Sequence, residues 1–430
     1  MKIPSVKGFH DVLPGESARW SRLEAIARDI FGRYHFDEIR LPIVERAELF
    51  RRSVGETTDI VEKEMYAFSD RDGTDLTLRP EGTASAVRAY VEHAMQNAEP
   101  VTKLFYFGPM FRRERPQRGR LRQFSQIGAE VFGRDDAAAD AEVIVLIDDL
   151  LRGFGIKSAE INVNTLGCAD CRPAFREALV TWGESRRADL CEDCQRRLQQ
   201  NPLRLLDCKQ PPCVAMRGDA PVMADHACDV CAAHFDRVLE LCAAERVELR
   251  RQPYMVRGLD YYCRTAFEVV AEGLGAQNAI GGGGRYDGLV RSLGGPAVGG
   301  IGFALGIERL ALVLEAQGEQ ATRQAPEFFV APLGVAAEAE AFRLVRRLRG
   351  AGARVEVEAA GKSLKSQMRR AGKLEAPYVI ILGDDEVAAG TMTVRDMRAR
   401  ADRPGVARLD ADIETLRAVL ASGPPAEGGA

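Results

Sequence analysis

Residues 103–132 constrain the fold most strongly, because two strand-like runs flank a short basic turn. Pro116 and Gly119 lie in the turn, where they interrupt strand pairing. Residues 112–122 carry six arginines and one glutamate. The segment predicts a long antiparallel hairpin, and its arginine-rich tip suits either a solvated charged loop or the binding of a polyanion.

The second strand of this hairpin predicts two different faces, since side chains alternate along a strand. The face typical of a core carries Ser125, Ile127, Ala129 and Val131. The other face carries Phe124, Gln126, Gly128 and Glu130. This second set suits the floor of a polar ligand site, with a ring that stacks, two hydrogen-bonding groups and a glycine that lets the ligand approach. A solvent-facing strand surface is the alternative.

The size of the chain predicts two or three domains. Its 430 residues (47.1 kDa) are 46% apolar and 28% charged, which excludes collagen, coiled coil and wholesale disorder. The formal net charge is −4, so a nucleic-acid partner needs a local basic patch. We find neither a secretion-signal run nor a window of about eighteen apolar residues, and therefore expect a soluble, cytoplasmic protein without a membrane partner.

The remaining elements follow from periodicity. Apolar spacing predicts a helix over residues 16–34 and a strand over 38–44, where Pro42 favours an edge, either at a subunit interface or as an ordinary sheet edge. The run GIGFALGIERLALVLE suggests a buried helix, and residues 315–327 a linker. Beyond it, strand-like and helix-like runs alternate, which predicts a small α/β domain with a largely parallel sheet.

Eight of the ten cysteines fall between residues 168 and 231. Without an export signal, metal ligation or free thiols are better interpretations than disulfides. Two neighbouring C-x-x-C pairs can close a tetrahedral zinc site, so eight thiols suffice for two structural zinc ions, but the spacing assigns no pairings. The candidate ligands are Cys168, Cys171, Cys191, Cys194, Cys208, Cys213, Cys228 and Cys231.

Five segments in order resemble motifs of the class II aminoacyl-tRNA synthetases. FRRERPQRGRLRQF, from Phe111, is similar to motif 2, TLRPEGT to an amino-acid-binding segment, and GIGFALGIERL to motif 3. VRGLDYYCRTAFE, from Val256, and GGGGRYDGL, from Gly281, are similar to the two signatures peculiar to histidyl-tRNA synthetases. The likeness continues through KSLKSQMRRAGKLEAPYVIILG and so covers nearly the whole chain.

This resemblance implies an α+β fold: a class II antiparallel sheet with flanking helices, an inserted mainly helical module and a C-terminal α/β anticodon-binding domain. The expected bounds are 1–167 and 246–322 for the catalytic domain, 168–245 for the cysteine-rich module, 328–421 for the anticodon-binding domain and 422–430 for a disordered tail. The implied enzyme is a histidine–tRNA ligase that converts L-histidine and ATP to histidyl-adenylate and pyrophosphate, then transfers histidine to the 3′ end of tRNA(His). Magnesium with ATP and a homodimer through the Pro42 region are also implied.

The resemblance also assigns catalytic and ATP-binding roles. Activation joins a carboxylate to the α-phosphorus of ATP, so arginines that neutralise both anions suit the chemistry. By resemblance, Arg112 and Arg309 hold the nucleotide phosphates, and Arg257 lies against the α-phosphate and the histidine carboxylate. Glu114 is expected to orient the adenine, with Phe124 stacked on the base.

For histidine, the resemblance implies partners for both ends of the substrate. It assigns Glu130 and Tyr262 to the imidazole ring, a choice that rejects analogues without hydrogen-bonding nitrogens. The residues expected around the amino group are Glu81, Gly82, Thr83 and Gln126, with Tyr261 nearby. The floor beneath the side chain is expected to include Arg285 and Tyr286. At the hairpin tip, the implied readers of the tRNA acceptor end are Arg115 and Gln117, for which simple solvent exposure is the alternative.

Two other functions fit parts of the sequence. A non-catalytic relative, the synthetase-like regulatory subunit of ATP phosphoribosyltransferase, is disfavoured by the intact RGLDYY run, motif 2 and C-terminal domain. The second alternative is a nucleic-acid-binding protein with structural zinc, which binds RNA through the arginine-rich turn and needs no ATP. That function gives no role to Glu81, Glu130 and Arg257.

Overall fold

The predicted hairpin supplies the second and third strands of an eight-stranded sheet. The structure, a computed structural model, describes residues 3–55, 58–275, 278–319, 324–359 and 361–421, and the chain divides into two units, 1–322 and 323–430. The first unit contains the strands β1 (Asp37–Glu38), β2 (Val44–Arg46), β3 (Tyr66–Ser69), β4 (Asp75–Leu78), β5 (Thr102–Phe111), β6 (Gln123–Phe132), β7 (Ala159–Thr165), β8 (Leu249–Arg251), β9 (Cys263–Ala271), β10 (Ala279–Arg285) and β11 (Gly300–Gly306).

The large sheet has the order β1-β5-β6-β11-β10-β9-β7-β8, and β2-β4-β3 form a small antiparallel sheet. The edge pairs β1–β5 and β7–β8 are parallel, whereas the others in the large sheet are antiparallel. Hairpin β5–β6 pairs Thr102 with Phe132 at its base and Phe111 with Gln123 near its tip. The antiparallel-rich sheet with flanking helices confirms the predicted α+β class.

In the described part of this unit, the strands are accompanied by the helices α1 (Glu16–Arg33), α2 (Ala47–Val54), α3 (Thr83–Glu92), α4 (Ala137–Phe154), α5 (Arg172–Glu184), α6 (Glu192–Gln200), α7 (Pro211–Met216), α8 (Asp229–Ala244), α9 (Leu289–Ser292) and α10 (Ile307–Ala316). Shorter turns of helix lie at Ile60–Glu64, Met95–Asn97, Arg187–Asp189, Pro202–Leu205, Arg217–Asp219 and Met223–His226. None of the helices within the described ranges is long and apolar enough to cross a membrane.

The main core lies between the sheet and helices α1 and α4. Leu23, Ala27 and Ile30 recur at helical spacing on α1 and are buried, as predicted. The Asp136 carboxylate caps α4 by accepting a backbone N–H at 3.0 Å, and Gly155 ends that helix with a φ of 81°. The face of β6 predicted to be core packs into this cluster. The opposite face of β6 is therefore free to form the floor of a site.

Two predicted elements differ from the structure. The expected strand over 38–44 is divided into β1 and β2, because Pro42 lies between them and the two halves join different sheets. The expected helix GIGFALGIERLALVLE begins instead as strand β11, which becomes α10 at Ile307. As a strand, the segment pairs with β6, and Gly302 lies so close to that neighbour that a Cβ there would be 1.8 Å from the Glu130 carboxylate.

The second unit is an α/β domain with the elements β12 (Phe328–Pro332), α11 (Val335–Gly350), β13 (Val355–Val357), α12 (Leu364–Lys373), β14 (Tyr378–Leu382), α13 (Asp384–Ala389), β15 (Thr391–Asp396), β16 (Ala401–Arg408) and α14 (Ile413–Ala421). Its sheet has the order β13-β12-β14-β15-β16. The first three strands are parallel, but β15 and β16 form an antiparallel extension, and β16 was not predicted. The predicted tail, 422–430, and residues 320–323 of the expected linker lie outside the described residues.

Candidate active site

A cleft of about 220 Å³ opens over the strand face predicted to bind a ligand. Its walls come from chain segments that are far apart in sequence. The predicted site residues that line it are Glu81, Thr83, Arg112, Glu114, Phe124, Gln126, Arg257, Tyr261, Tyr262 and Arg309. The sheet brings these segments together because β6, β9, β10 and β11 are neighbours in it.

Glu130 is fully buried and does not line the cleft itself, but it is bonded to Thr83, which does. Its Oε1 accepts hydrogen bonds from the Thr83 hydroxyl at 2.7 Å and the Tyr106 hydroxyl at 3.0 Å, and its Oε2 accepts one from the Tyr286 hydroxyl. Burial raises the pKa of Glu130 to about 8, although these donors oppose the shift. This carboxyl group can therefore exchange a proton near neutral pH.

Glu81 is fixed at the N-terminus of α3. Its two carboxylate oxygens accept backbone N–H groups of Thr83 at 2.7 Å and Ala84 at 2.9 Å, and Gly82 is the residue that precedes the helix. Burial raises the pKa of Glu81, while these backbone bonds lower it. The first turn of a helix favours a negative charge, so the carboxylate is held where it can meet a cationic amino group.

The Arg257 side chain, from the loop before β9, packs against the glycine-rich strand β10. Its Nη1 donates to Glu268 Oε1 at 3.0 Å, and its Cζ lies 5.9 Å from the centre of the Tyr262 ring. A Cβ at Gly282 would lie 2.8 Å from both terminal nitrogens, so only glycine lets the guanidinium lie against the strand. The glycine run therefore allows the Arg257 side chain to pack closely against the strand.

Arg112 and Arg309 reach the same cleft from motif 2 and motif 3. Arg112 Nε donates to the Pro80 carbonyl at 2.9 Å, and its Cζ lies 5.2 Å from the Phe124 ring centre. Arg309 Nε donates to the Gly119 carbonyl at 3.0 Å, and burial lowers its pKa. Three guanidinium groups from distant segments thus converge on one cavity.

Three buried polar atoms of the cleft have no hydrogen-bond partner among the described residues: Gln126 Oε1, the Tyr261 hydroxyl and Arg257 Nε. Buried polar atoms are usually paired, so an unpaired set of one amide oxygen, one hydroxyl and one guanidinium N–H indicates a polar ligand. The cleft also carries carboxylates at Glu268 and Glu308, the ligand type that Mg²⁺ uses beside phosphates. The cleft can thus bind a zwitterion beside a phosphate-rich molecule.

Arg285 does not lie in this cleft, contrary to the expectation from the sequence. Its side chain is fully buried, where Nε donates to Asp140 at 3.0 Å and Nη1 donates to Asp287 at 2.8 Å. His234 Nε2 lies 2.7 Å from the same Asp140 carboxylate. A buried guanidinium needs carboxylate partners, and the pairing of β10 with β9 shifts register at Arg285. Arg285 thus stabilises the scaffold, whereas Tyr286 contacts Glu130.

Gly128 also differs from its expected role. It pairs with Tyr106 across the hairpin, and a Cβ at Gly128 would lie 2.3 Å from the Tyr106 ring. The glycine makes room for that ring and not for the ligand. We did not predict Tyr106, although aligning the two hairpin strands would have placed it beside Glu130. Glu268, the partner of Arg257, was also missed.

Glu308 is a further residue missed by the sequence analysis. Its carboxylate accepts the Ser125 backbone N–H at 2.8 and 3.0 Å, and burial raises its pKa to about 7. At the hairpin tip, by contrast, Arg115 and Gln117 are exposed outside the cleft, in a turn closed by a bridge between Gln117 and Arg120.

The eight candidate cysteines form two groups. The outer cluster consists of Cys168, Cys171, Cys228 and Cys231, and the inner cluster of Cys191, Cys194, Cys208 and Cys213. In each cluster the sulfur atoms lie within 4.8 Å of one another, with separations of 3.5 Å for Cys168–Cys171 and 3.8 Å for Cys191–Cys208. None of the ten cysteines, all of which lie within the described ranges, forms a disulfide. Tetrahedral zinc with Zn–S bonds of about 2.3 Å requires sulfur separations of about 3.8 Å, so both clusters fit zinc.

The chain matches two family models. One, described as Histidyl-tRNA synthetase, covers residues 8–310, and the other, described as Anticodon binding domain, covers residues 327–416. The Histidine–tRNA ligase of Trichlorobacter lovleyi is 51% identical over 423 residues, or 98% of this chain and 99% of that protein. The Histidine–tRNA ligase of Syntrophotalea carbinolica is 52% identical over 404 residues, or 94% and 96%.

Solved structures are similar over the same length. The crystal structure of apo S. aureus histidyl-tRNA synthetase matches with a TM-score of 0.78 at 34% identity, over 94% of this chain and 96% of that one. An ATP phosphoribosyltransferase regulatory subunit/histidyl-tRNA synthetase from Bacillus halodurans matches with a TM-score of 0.65 at 21% identity, over 89% and 99%. At that identity the second likeness shows the fold alone.

Proposed function

The chain belongs to the histidyl-tRNA synthetase family, and we propose that its cleft carries out the family's two-step reaction with the residue roles described below. Its function is ATP-dependent histidine–tRNA ligation, and members of the family act with ATP and Mg²⁺. The observation that supports the roles best is the convergence of Arg112, Arg257 and Arg309 beside Glu81 and the Glu130 pocket.

In the first step, a histidine carboxylate oxygen attacks the α-phosphorus of ATP. The new O–P bond forms as the bond from the α-phosphorus to the pyrophosphate oxygen breaks, so no side-chain nucleophile is needed. Arg257 neutralises the carboxylate and the α-phosphate, while Arg112 and Arg309 hold the departing phosphates. Phe124 stacks on the adenine and Glu114 orients it. Glu268 and Glu308 have the carboxylate chemistry to hold magnesium, which would supply further positive charge to the phosphates.

Histidine is selected through two of its groups, the ammonium group and the imidazole ring. Glu81 and Gln126 bind the ammonium group, with Thr83 fixing the geometry. Glu130 and Tyr262 recognise the imidazole ring, and the Tyr106 and Tyr286 hydroxyls keep the Glu130 carboxyl in place. A ligand without ring nitrogens leaves these buried groups unpaired, which gives discrimination of about 10⁴.

In the second step, the histidyl group moves to a ribose hydroxyl at the 3′ end of tRNA(His). The exposed arginine-rich tip, including Arg115 and Gln117, is suited to the acceptor end because phosphate contacts position a nucleic acid. The second unit, which matches the anticodon-binding model, contacts the anticodon. We also propose domain bounds of 168–245 for the inserted module and 328–421 for the anticodon domain.

We further propose a cytoplasmic homodimer with two structural zinc ions in each chain. Ile43, Val44 and Phe68, in or beside the small sheet near Pro42, are 45%, 42% and 46% exposed, which suits burial against a second copy. The inner and outer cysteine clusters have the geometry of tetrathiolate zinc sites.

Pyrophosphate exchange tests this proposal. With each of the twenty amino acids in turn, the protein should incorporate labelled pyrophosphate into ATP only when histidine is present. Exchange with another amino acid, or none with histidine, contradicts the proposal and favours a regulatory or RNA-binding protein.

A further inference from the structure

The loop between β8 and β9 separates two cavities. On one side, Arg257, Tyr261 and Tyr262 line the active-site cleft. On the other side lies a second cavity of about 500 Å³. It shares Arg257, Leu259 and Tyr262 with the cleft, and its lining includes Arg204 of the cysteine-rich module. Residues 255–262 contain no helix or strand, so little regular backbone bonding fixes their position. The loop that carries Arg257 therefore depends on the contacts on its far side.

Those contacts come from the module. Arg204 Nη2 donates to the Gly258 carbonyl at 2.6 Å, and Asn201 Nδ2 donates to Asp260 Oδ1 at 3.2 Å. Gly258 and Asp260 lie within the RGLDYY run, directly after Arg257. The module therefore fixes the backbone of this run from behind.

Two cysteines of the inner cluster flank the segment that makes these contacts. Asn201 and Arg204 lie between Cys194, near the start of α6, and Cys208, just after the turn Pro202–Leu205. A metal bound by both cysteines ties the two ends of that segment together. The module's own core is small and includes several of the cluster sulfurs, a composition typical of domains that a metal must staple.

We propose that zinc in the inner cluster positions the histidine-binding loop through Arg204 and Asn201, and so sets the affinity for histidine. This inference rests on the proposed function. The zinc touches no substrate. Its loss frees residues 195–207, which weakens the contacts to Gly258 and Asp260 and loosens the positions of the neighbouring histidine-binding residues. ATP is held mainly by motifs 2 and 3, so its own binding should be little affected.

The first test removes the inner site from the full-length chain. Elemental analysis should find two zinc ions per wild-type chain and one in the double variant Cys194→Ser/Cys208→Ser. In pyrophosphate exchange, the variant's KM for histidine should rise about tenfold, while calorimetry of ATP binding without histidine changes less than about twofold. A double variant that holds as much zinc as the wild type, or a zinc-depleted inner site with an unchanged KM for histidine, overturns the proposal.

The second test keeps the metal and breaks the contact. Arg204→Ala should retain two zinc ions yet raise the KM for histidine about fivefold, and Arg204→Lys should recover part of it because lysine can still donate to Gly258. The control is Arg196→Ala, an exposed residue of α6 that pairs with Asp193, and it should match the wild type. An unchanged KM in Arg204→Ala overturns the inference even if the cysteine variant fails to fold. Absence of histidine-dependent exchange in the wild type would instead refute the proposed function.

Discussion

The catalytic cleft and the cysteine-rich module both hold together segments that are distant in sequence, but by different chemistry. In the cleft, buried carboxylates and arginines are fixed by backbone groups and hydroxyls on a sheet with a large apolar core, as Glu81 and Glu130 illustrate. In the module, a small core shares its interior with sulfur atoms. Because of this difference, variants that change a charge in the cleft should alter its chemistry, whereas loss of metal should alter the structure of the module.

Arg257→Ala should have the largest effect. It removes the charge that neutralises both the α-phosphate and the carboxylate, so pyrophosphate exchange should fall about 10³-fold or more. The thermal unfolding midpoint should stay close to that of the wild type, because the sheet core is untouched. Arg250→Ala, on the exposed strand β8, is the control. Exchange within tenfold of the wild type would show that Arg257 is not catalytic.

Zinc removal should disrupt the module and spare the cleft's scaffold. After treatment with a strong chelator, limited proteolysis should cut first within residues 168–245, because thiolate–metal bonds supply much of that module's folding free energy. Readdition of zinc should restore resistance. First cuts in the large sheet, or unchanged cleavage after the metal has left, would remove the contrast between the two regions.

Glu130→Gln should weaken the binding of histidine and leave the binding of ATP unchanged. The amide keeps the shape but cannot carry the charge that pairs with the ring, so the KM for histidine should rise about 10²-fold with the KM for ATP nearly constant. Glu160→Gln, on the partly exposed strand β7, serves as the control. Equal losses for both substrates would assign Glu130 to the scaffold.

The pH dependence of histidine binding follows from the raised pKa of Glu130. Between pH values of about 6.5, the usual pKa of imidazole, and about 8, free histidine has a neutral ring and unoccupied Glu130 carries one proton. The complex also carries one proton, so the affinity for histidine does not change with pH in this range. Below that window binding releases a proton and above it binding takes one up, so affinity falls about tenfold per pH unit on each side. Calorimetry in buffers of different ionisation heat measures this. Glu130→Gln should lose the upper limb; its persistence would assign that limb to another group.

Arg115→Ala should have the smallest effect. The residue is exposed at the hairpin tip, so transfer to tRNA should fall only a few-fold while pyrophosphate exchange is unchanged. Arg152→Ala, an exposed arginine on α4, is the matched control. A loss in exchange equal to the loss in transfer would place Arg115 in the activation step.

Strand alternation predicted which face of β6 lies towards the cleft, and half of the floor residues expected on that face. Phe124 and Gln126 line the cleft, and Ile127 and Val131 pack into the core, because period-two alternation leaves a paired strand one choice of face. Arg285 shows the limit, since a register shift in β10 and the buried Asp140 decide where its side chain goes. Neither can be seen in a single sequence.

The module shows a second limit. Three identical C-x-x-C spacings predict metal ligation but not which pairs meet, because the partners are chosen by the packing of α5 to α8. The contact between Arg204 and the RGLDYY run is equally invisible, since residues 204 and 258 belong to segments that only the fold brings together.

Calorimetry with a stable sulfamoyl analogue of histidyl-adenylate tests whether arginines from three segments meet a nucleotide beside a pocket for imidazole. This analogue should bind at least about 10²-fold more tightly than either ATP or histidine, and Arg257→Ala and Glu130→Gln should each abolish most of the gain. An analogue that binds no more tightly than ATP, or that is insensitive to both substitutions, would contradict this arrangement.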